Sequence, residues 1–385
     1  MNKWFASLLL LSSSIATSNL EGWGNSDYKI PSLQSPPPPP PLHEVSFPLN
    51  IDQEWFVKPS LLVWRPFQDQ IDSGFTSVMD SPTDPFFEKN KTQNVNFNWG
   101  TGARLTIGKY LPHHEQWDVI LASTFFYSDT KTTVHGKANL STLSASNPND
   151  IILFSDGWNP TILGASTETD LNWLINYFTW DLALGRLFSL TRKVVVHPFI
   201  CLRSMLIFEK YTNKNESIDL DANSNFFTRR TTFNANNSVW GIGPRIGSDF
   251  SYYFSHGFSL QGSLSGAIVM GRYNIQENLK GFMPNLGTMP SPTATLKISD
   301  ETTNMHANLE ANIGLGWEKL VRNHTVRVAP SFIFEVSNWF LINNWAATNI
   351  PIPSTPGQPD WGMNSTRRMG DLGFLGFTIN LQIDF

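Results

Sequence analysis

Apolar and polar residues alternate along most of this chain with a period of two. In HANLEANIGLGW, Ala307, Leu309, Ala311, Ile313, Leu315 and Trp317 fall on one side. His306, Asn308, Glu310, Asn312, Gly314 and Gly316 fall on the other. VWGIGPRIGSDFSYYF, FSLQGSLSGAIVM and NVNFNWGTGARLTIG repeat the pattern, the last with Val95, Phe97, Trp99, Leu105 and Ile107 on its apolar side. The closing segment GDLGFLGFTINLQIDF sets Leu375, Phe377, Ile379, Leu381, Ile383 and Phe385 against small and polar residues. Such alternation predicts strands with two unlike faces. Strands are expected near 53–66, 93–109, 115–129, 170–187, 192–211, 235–254, 257–275, 303–319, 324–341 and 370–385.

The gaps between these strands alternate short and long. YLPHHE, FSLTRK, FSHG and LVRNH are tight, whereas 67–92, 130–169, 212–234, 276–302 and 342–369 are long and rich in Asn, Ser, Thr, Pro and Gly. Tight connections make neighbouring strands antiparallel. A soluble sandwich would bury the apolar faces inside; a membrane barrel turns them to lipid. Three features favour the barrel. Charges of both signs sit deep in the polar faces: Arg104, Asp118, Asp181, Arg203, Arg245, Asp249, Glu310, Glu318, Arg327 and Glu335. Aromatic residues mark strand ends, as at Trp99, Trp117, Trp240, Tyr252, Tyr253, Phe254, Trp317, Trp339 and Phe340. Short turns alternate with long loops, as in outer-membrane barrels. The expected fold is all-β: a single antiparallel transmembrane β-barrel of about ten strands, eight to twelve being plausible, with short periplasmic turns and long extracellular loops.

The amino terminus supports export. In MNKWFASLLLLSSSIATS one charge, Lys3, precedes an apolar run and a small-residue cleavage pattern, so residues 1–18 read as a signal peptide. Pro36 to Pro41 place a polyproline spacer in a tail over 19–50, which leaves 51–385 for the barrel. No stretch approaches the roughly 20 apolar residues of a spanning helix. Formal net charge is −5, which argues against nucleic-acid binding through a basic face. A single cysteine, Cys201, excludes an internal disulfide and a cysteine zinc cluster, and no cofactor or metal is expected.

Catalytic signals are weak. There is no GxSxG, and GIGPRIG has the wrong spacing and surroundings for a dinucleotide loop. His113, His114, His256 and His324 fall in predicted turns and His135 in a long loop. His197 and His306 are candidates for the interior, and His306 near Asp300 and Glu301 is the one pair that suggests a rim hydrolase. The main expectation is instead a wettable lumen, with Arg104, Arg203, Arg245, Asp249, Glu310, Arg327 and Glu335 facing it and biasing ion passage. Trp99, Trp117, Trp240 and Trp317 are expected in the lipid-facing aromatic belt. Ten strands lie near the limit at which side chains fill the bore.

The ordered segments SLLVWR, WGTGARLTIGKYLPHHEQWDV, WDLALGRLF, HPFICLRS, WGIGPRIGSDFSYYF, GFSLQGSLSGAIVMGRY, LEANIGLGWE and GDLGFLGFTINLQIDF carry a resemblance. Together they resemble the Legionella-type major outer membrane protein family and its MOMP-like members in chlamydia-related bacteria. The resemblance implies a pore-forming protein of a Gram-negative outer membrane, passing ions and small polar solutes without chemistry. It implies contact with outer-membrane lipid, and recognition of the terminal Phe385 by the barrel-assembly machinery during insertion. A homo-oligomer stays open. The cysteine-rich cross-linking of the principal chlamydial porin finds no counterpart here. Two other readings stay open: a closed structural or adhesive barrel whose loops bind a host or other partner, and a barrel hydrolase.

Overall fold

A computed structural model describes residues 54–69, 71–78, 89–111, 116–135, 151–154, 166–220, 226–282, 293–321, 326–349 and 364–385. The expected signal peptide, the proline-rich tail, His113, His114 and His324 lie outside the described residues. The strands are β1 (Trp55–Gln68), β2 (Asp72–Val78), β3 (Lys89–Asn94), β4 (Gly100–Tyr110), β5 (Trp117–His135), β6 (Ile151–Phe154), β7 (Ser166–Arg186), β8 (Phe188–Ser189), β9 (Val194–Leu220), β10 (Phe226–Tyr253), β11 (Phe258–Phe282), β12 (Thr293–Trp317), β13 (Lys319–Val321), β14 (Val326–Asn349) and β15 (Asn364–Asp384).

Ten of these close a ring in the order β1-β4-β5-β7-β9-β10-β11-β12-β14-β15 and back to β1. Every pairing around the ring is antiparallel. The seam joins first and last strands, from Phe56↔Asp384 to Gln68↔Leu372. Beyond it, Trp55 and Phe385 exchange two backbone hydrogen bonds of 3.1 and 2.9 Å. No edge is left among these ten strands, as lipid requires. At the loop end β2 pairs with both β3 and β6, and β6 touches β7 at Leu153↔Ser166. The short β8 and β13 pair with β9 and β14 at the turn end.

Leu105, Leu121, Leu182, Ile200, Leu202, Ile246, Leu264, Leu309, Ile313, Leu315, Phe332 and Ile379 are exposed on the outer wall. On β12 the outward apolar run from Met305 to Trp317 covers roughly 30 Å along a strand tilted about 40°. That matches the hydrocarbon core of a bilayer. The ten strands sit where the alternation places them, but several run further at the loop end. β9 continues from the expected end at 211 to Leu220, and β12 starts at Thr293 rather than 303. Past the bilayer the outer face need not be apolar: Lys210 and Lys214 stand where Ile200 and Leu202 stand lower down.

Period two also corrects part of the expected aromatic girdle. Adjacent residues of a strand point to opposite sides. So Tyr252 and Phe340 face out, while their neighbours Tyr253 and Trp339 are buried inside. Val95 and Phe97 are likewise buried, although Trp99 is exposed. Residues 95–99 are not in a strand, and alternation fails there. Arg65 holds this segment inward, its Nε donating to the Phe97 carbonyl at 2.9 Å.

Candidate functional site: the barrel interior

The interior has two zones stacked along the barrel axis. The zone at the turn end is polar. The sequence puts arginines and carboxylates at inward parity on separate strands, and closing the ring brings them together. Arg203 on β9 grips Asp181 of β7 through Nε and Nη2 at 2.8 and 2.7 Å. Its Nη1 also reaches Glu310 of β12 at 2.5 Å, past the two intervening strands. Arg245 of β10 contacts the same two carboxylates at 2.9 and 2.6 Å and donates to Ser265 Oγ. Two cations and two anions thus form a neutral cluster. Arg104 of β4 makes a bidentate pair with Glu335 of β14, at 2.9 and 3.1 Å.

Nearer the turns, His197 lies between Asp118 at 3.1 Å and Asp249 at 3.2 Å. Arg327 joins Glu318 at 2.9 Å and also Asp384 of the closing strand. These groups surround a cavity of about 340 Å³, with Lys58, Tyr110, Gln261, Ser263 and Asn312 also on its wall. Gly185 sits directly against the His197 ring; a Cβ there would stand 2.1 Å from Nε2. The seven charges expected to face the lumen all lie in this zone, and none points to lipid. They come paired, so their first effect is to brace neighbouring walls.

The zone toward the loops is crossed by aromatic and aliphatic layers, with polar side chains such as Gln68, Glu209 and Asn237 buried among them, which corrects the expectation of a hydrophilic bore throughout. Trp64, Phe126, Tyr177, Met205, Val239, Tyr273, Trp339 and Phe374 are buried there. Their rings interlock: Tyr177 with Phe374 at 4.8 Å, Phe126 with Phe374 at 5.4 Å and Trp64 with Phe126 at 5.6 Å. Trp339 Nε1 donates to the Tyr177 hydroxyl at 3.3 Å. Tyr177 is on β7 and Trp339 on β14, opposite walls of the ten-strand ring. The bore is therefore crossed by a direct contact. Further toward the loops a second layer follows, with Phe97 edge-on to Trp173 at 4.8 Å and Tyr211 beside Trp345 at 6.2 Å.

The bulge in β14 between Trp339 and Asn343 shapes this plug. Leu341 takes φ 53, and its amide donates to Asp371 at 2.9 Å. The bulge carries the Ile342 carbonyl to the Tyr273 hydroxyl at 2.8 Å. His306 sits 2.7 Å from that same hydroxyl, with Nδ1 facing the Phe340 carbonyl. Its contacts are thus a phenol and a carbonyl, not the carboxylates of Asp300 or Glu301 that the hydrolase reading requires. His135 is on the outer wall beside Glu168 at 3.8 Å, and His256 lies in the turn between β10 and β11. Of the expected belt, Trp99, Trp240 and Trp317 are exposed on the outer wall, and Trp117 is partly covered by Arg186. Phe385 is exposed at the end of the seam.

The family model described as Legionella pneumophila major outer membrane protein precursor matches residues 48–385. The chain belongs to that family. As a member, it is a β-barrel protein of the bacterial outer membrane. No curated protein matches the chain significantly. Among solved structures, it is similar to the outer membrane protease OmpT of Escherichia coli, at 9% identity and TM-score 0.37, over 87% of this chain and 97% of that one. It is also similar to the Pseudomonas putida toluene transporter TodX, at 7% identity and TM-score 0.24, over 88% and 92% of the two chains. A Pseudomonas aeruginosa FadL homologue gives 9% identity and TM-score 0.26, over 86% and 90%. Scores at this level carry no argument about activity.

Proposed function

We propose that this family member is a closed, structural outer-membrane barrel that holds its long loops at the cell surface, without steady passive diffusion through its bore. One observation carries this reading: the Tyr177–Trp339 contact across the ring, inside a buried aromatic layer. Passive porins keep an aqueous path, and a filled interior is the norm for barrels of about eight strands. The loop-bearing end would supply any partner contacts, and Phe385 would serve assembly. No chemistry is assigned, since His306 is engaged by Tyr273.

The test is conductance of the purified protein in planar bilayers. Wild type should give no discrete steps above the lipid baseline. Regular steps of uniform size would overturn the closed reading. They would favour the second one, a porin for ions and small polar solutes. The charge-lined cavity at the turn end favours that alternative. In that case Arg245→Glu should shift the reversal potential.

A further inference from the structure

We propose that the loop-end parts of β14 and β15 form a hinged hairpin with two seats, one folded into the bore and the other against the free edge of β12. The join between β12 and β14 stops early, running from Gly316↔Ser331 only to Asn308↔Trp339. Beyond that level β12 stays paired with β11 as far as Phe282↔Thr293. Its other side, from Ala307 to Thr293, has no ladder partner among the described residues. β15 leaves its neighbour at the same level: its pairing with β1 ends at Gln68↔Leu372, and Leu372 faces Trp339. The hairpin above, from Asn343↔Gly370 to Asn349↔Asn364, is therefore paired only with itself.

This hairpin leans into the bore. Ile342, Asn343, Asn344 and Trp345 are buried in succession, whereas a strand in the wall alternates. Trp345 lies beside Tyr211 of β9, four strands away round the ring. The register shift between Trp339 and Asn343, with Leu341 at φ 53, makes the bend. Side chains stand in for the missing ladder: Tyr273 donates to the Ile342 carbonyl at 2.8 Å, and Asn343 Nδ2 to the Asp69 carbonyl at 2.9 Å. The inward seat is incomplete all the same. Asn344 is fully buried, yet neither its amide nitrogen nor its amide oxygen has a partner, and Asn343 Oδ1 has none either. Buried polar groups left this way destabilise the seat that holds them.

β12 offers what that seat lacks. An unpaired strand edge presents a row of free amides and carbonyls. Carrying the Asn308↔Trp339 register upward sets Ile342 opposite Met305, the last of the outward apolar run. It sets Asn344 opposite Thr303, an exposed polar position. Each side chain then stands on a part of the outer face that suits it. Exchange between the seats is a hinge motion at the bulge that keeps the β14–β15 ladder. It parts Trp345 from Tyr211. Trp339 lies below the hinge and keeps its bond to Tyr177, so a pocket opens toward the loops while the bore stays blocked. Conductance is therefore blind to the hinge.

The test is disulfide trapping in the full chain, folded in detergent, with Cys201→Ser as background. In Thr303→Cys/Asn344→Cys the inward seat keeps the two thiols apart, one outside the wall and one within the bore. On the β12 edge they meet. Mild oxidation should link them, and mass spectrometry of peptides should find several-fold more of the link once Tyr273→Phe removes the hold on Ile342. No link in either background would overturn the second seat. Should the cysteine variants fail to fold, hydrogen exchange of wild type and Tyr273→Phe decides. Losing a hydrogen bond ordinarily loosens the strands around it. Here the amides of 298–307 should exchange several-fold more slowly in Tyr273→Phe, because the freed hairpin docks on them. Equal or faster exchange there rejects the hinge.

Discussion

Arg203 and Arg104 show how much burial changes the same chemistry. Both make bidentate contacts with a carboxylate, but the Arg203 side chain is 3% exposed and the Arg104 side chain 25%. Removing Arg203 leaves Asp181 and Glu310 with Arg245 alone. Breaking a buried pair in this way costs about 3–5 kcal/mol. Arg104→Ala unpairs one carboxylate, Glu335, and removes a guanidinium that is itself partly exposed, so the loss should be about 1.5–3 kcal/mol, that of hydrogen bonds to a charged group. Urea unfolding in detergent should therefore rank Arg203→Ala well below Arg104→Ala in midpoint; equal midpoints would mean that water reaches both sites alike. The charged residues of this zone were legible in the sequence because a charge at inward parity within a strand has nowhere else to go. Lys58, Gln68 and Glu209 were not, since nothing local distinguishes them from other polar residues of an alternating strand. Their meaning comes only from residues of distant strands that ring closure brings to them.

At the scale of the element, two local backbone features carry testable weight. Leu341 holds a left-handed conformation, φ 53, in the β14 bulge. A side chain there costs roughly 1–2 kcal/mol that glycine avoids. Leu341 is also exposed, so little packing is lost with it. Leu341→Gly should hold or raise the unfolding midpoint, whereas Asp371→Ala, which removes the acceptor for the Leu341 amide, should lower it. If Leu341→Gly falls as far as Asp371→Ala, the leucine packs against lipid more than it strains the chain. Gly257 is the opposite case. It has φ 81 in the turn between β10 and β11, and a Cβ would lie 2.4 Å from the Glu318 carbonyl oxygen. Gly257→Val combines strain with a backbone clash, and refolding yield from urea into detergent should drop while Gly257→Asn retains more of it. The strands were readable because lipid outside and charge inside impose a strict period. The bulge and the strand extensions past the bilayer were not. Where water replaces lipid, the outer face relaxes to Asn, Thr and Lys, and period two loses its contrast.

The whole molecule shows why the sequence suggested a channel where the ring is plugged. A strand that faces lipid on one side and an aromatic core on the other reads as apolar on both parities. DLNWLINYFTW in β7 is such a run: Leu171, Trp173, Ile175 and Tyr177 face inward, while Leu174, Phe178 and Trp180 face out. That double signal was the available mark of a filled bore. The plug it builds has depth. Trp173 lies four residues along β7 from Tyr177, roughly 13 Å of strand before tilt. The prediction at this scale follows from that depth. Trp339→Ala removes the contact across the ring and leaves a void, which should cost about 3–5 kcal/mol of stability. It should not make the barrel conduct, because the Phe97–Trp173 layer still stands beyond it. Conductance should appear only when both layers are thinned, as in Tyr177→Ser, Trp339→Ser, Trp173→Ser and Trp345→Ser together, with the charged cavity at the turn end then in line with the opening. Steps from Trp339→Ala alone would show that the contact across the ring is the only barrier, a single gate in an otherwise wettable bore.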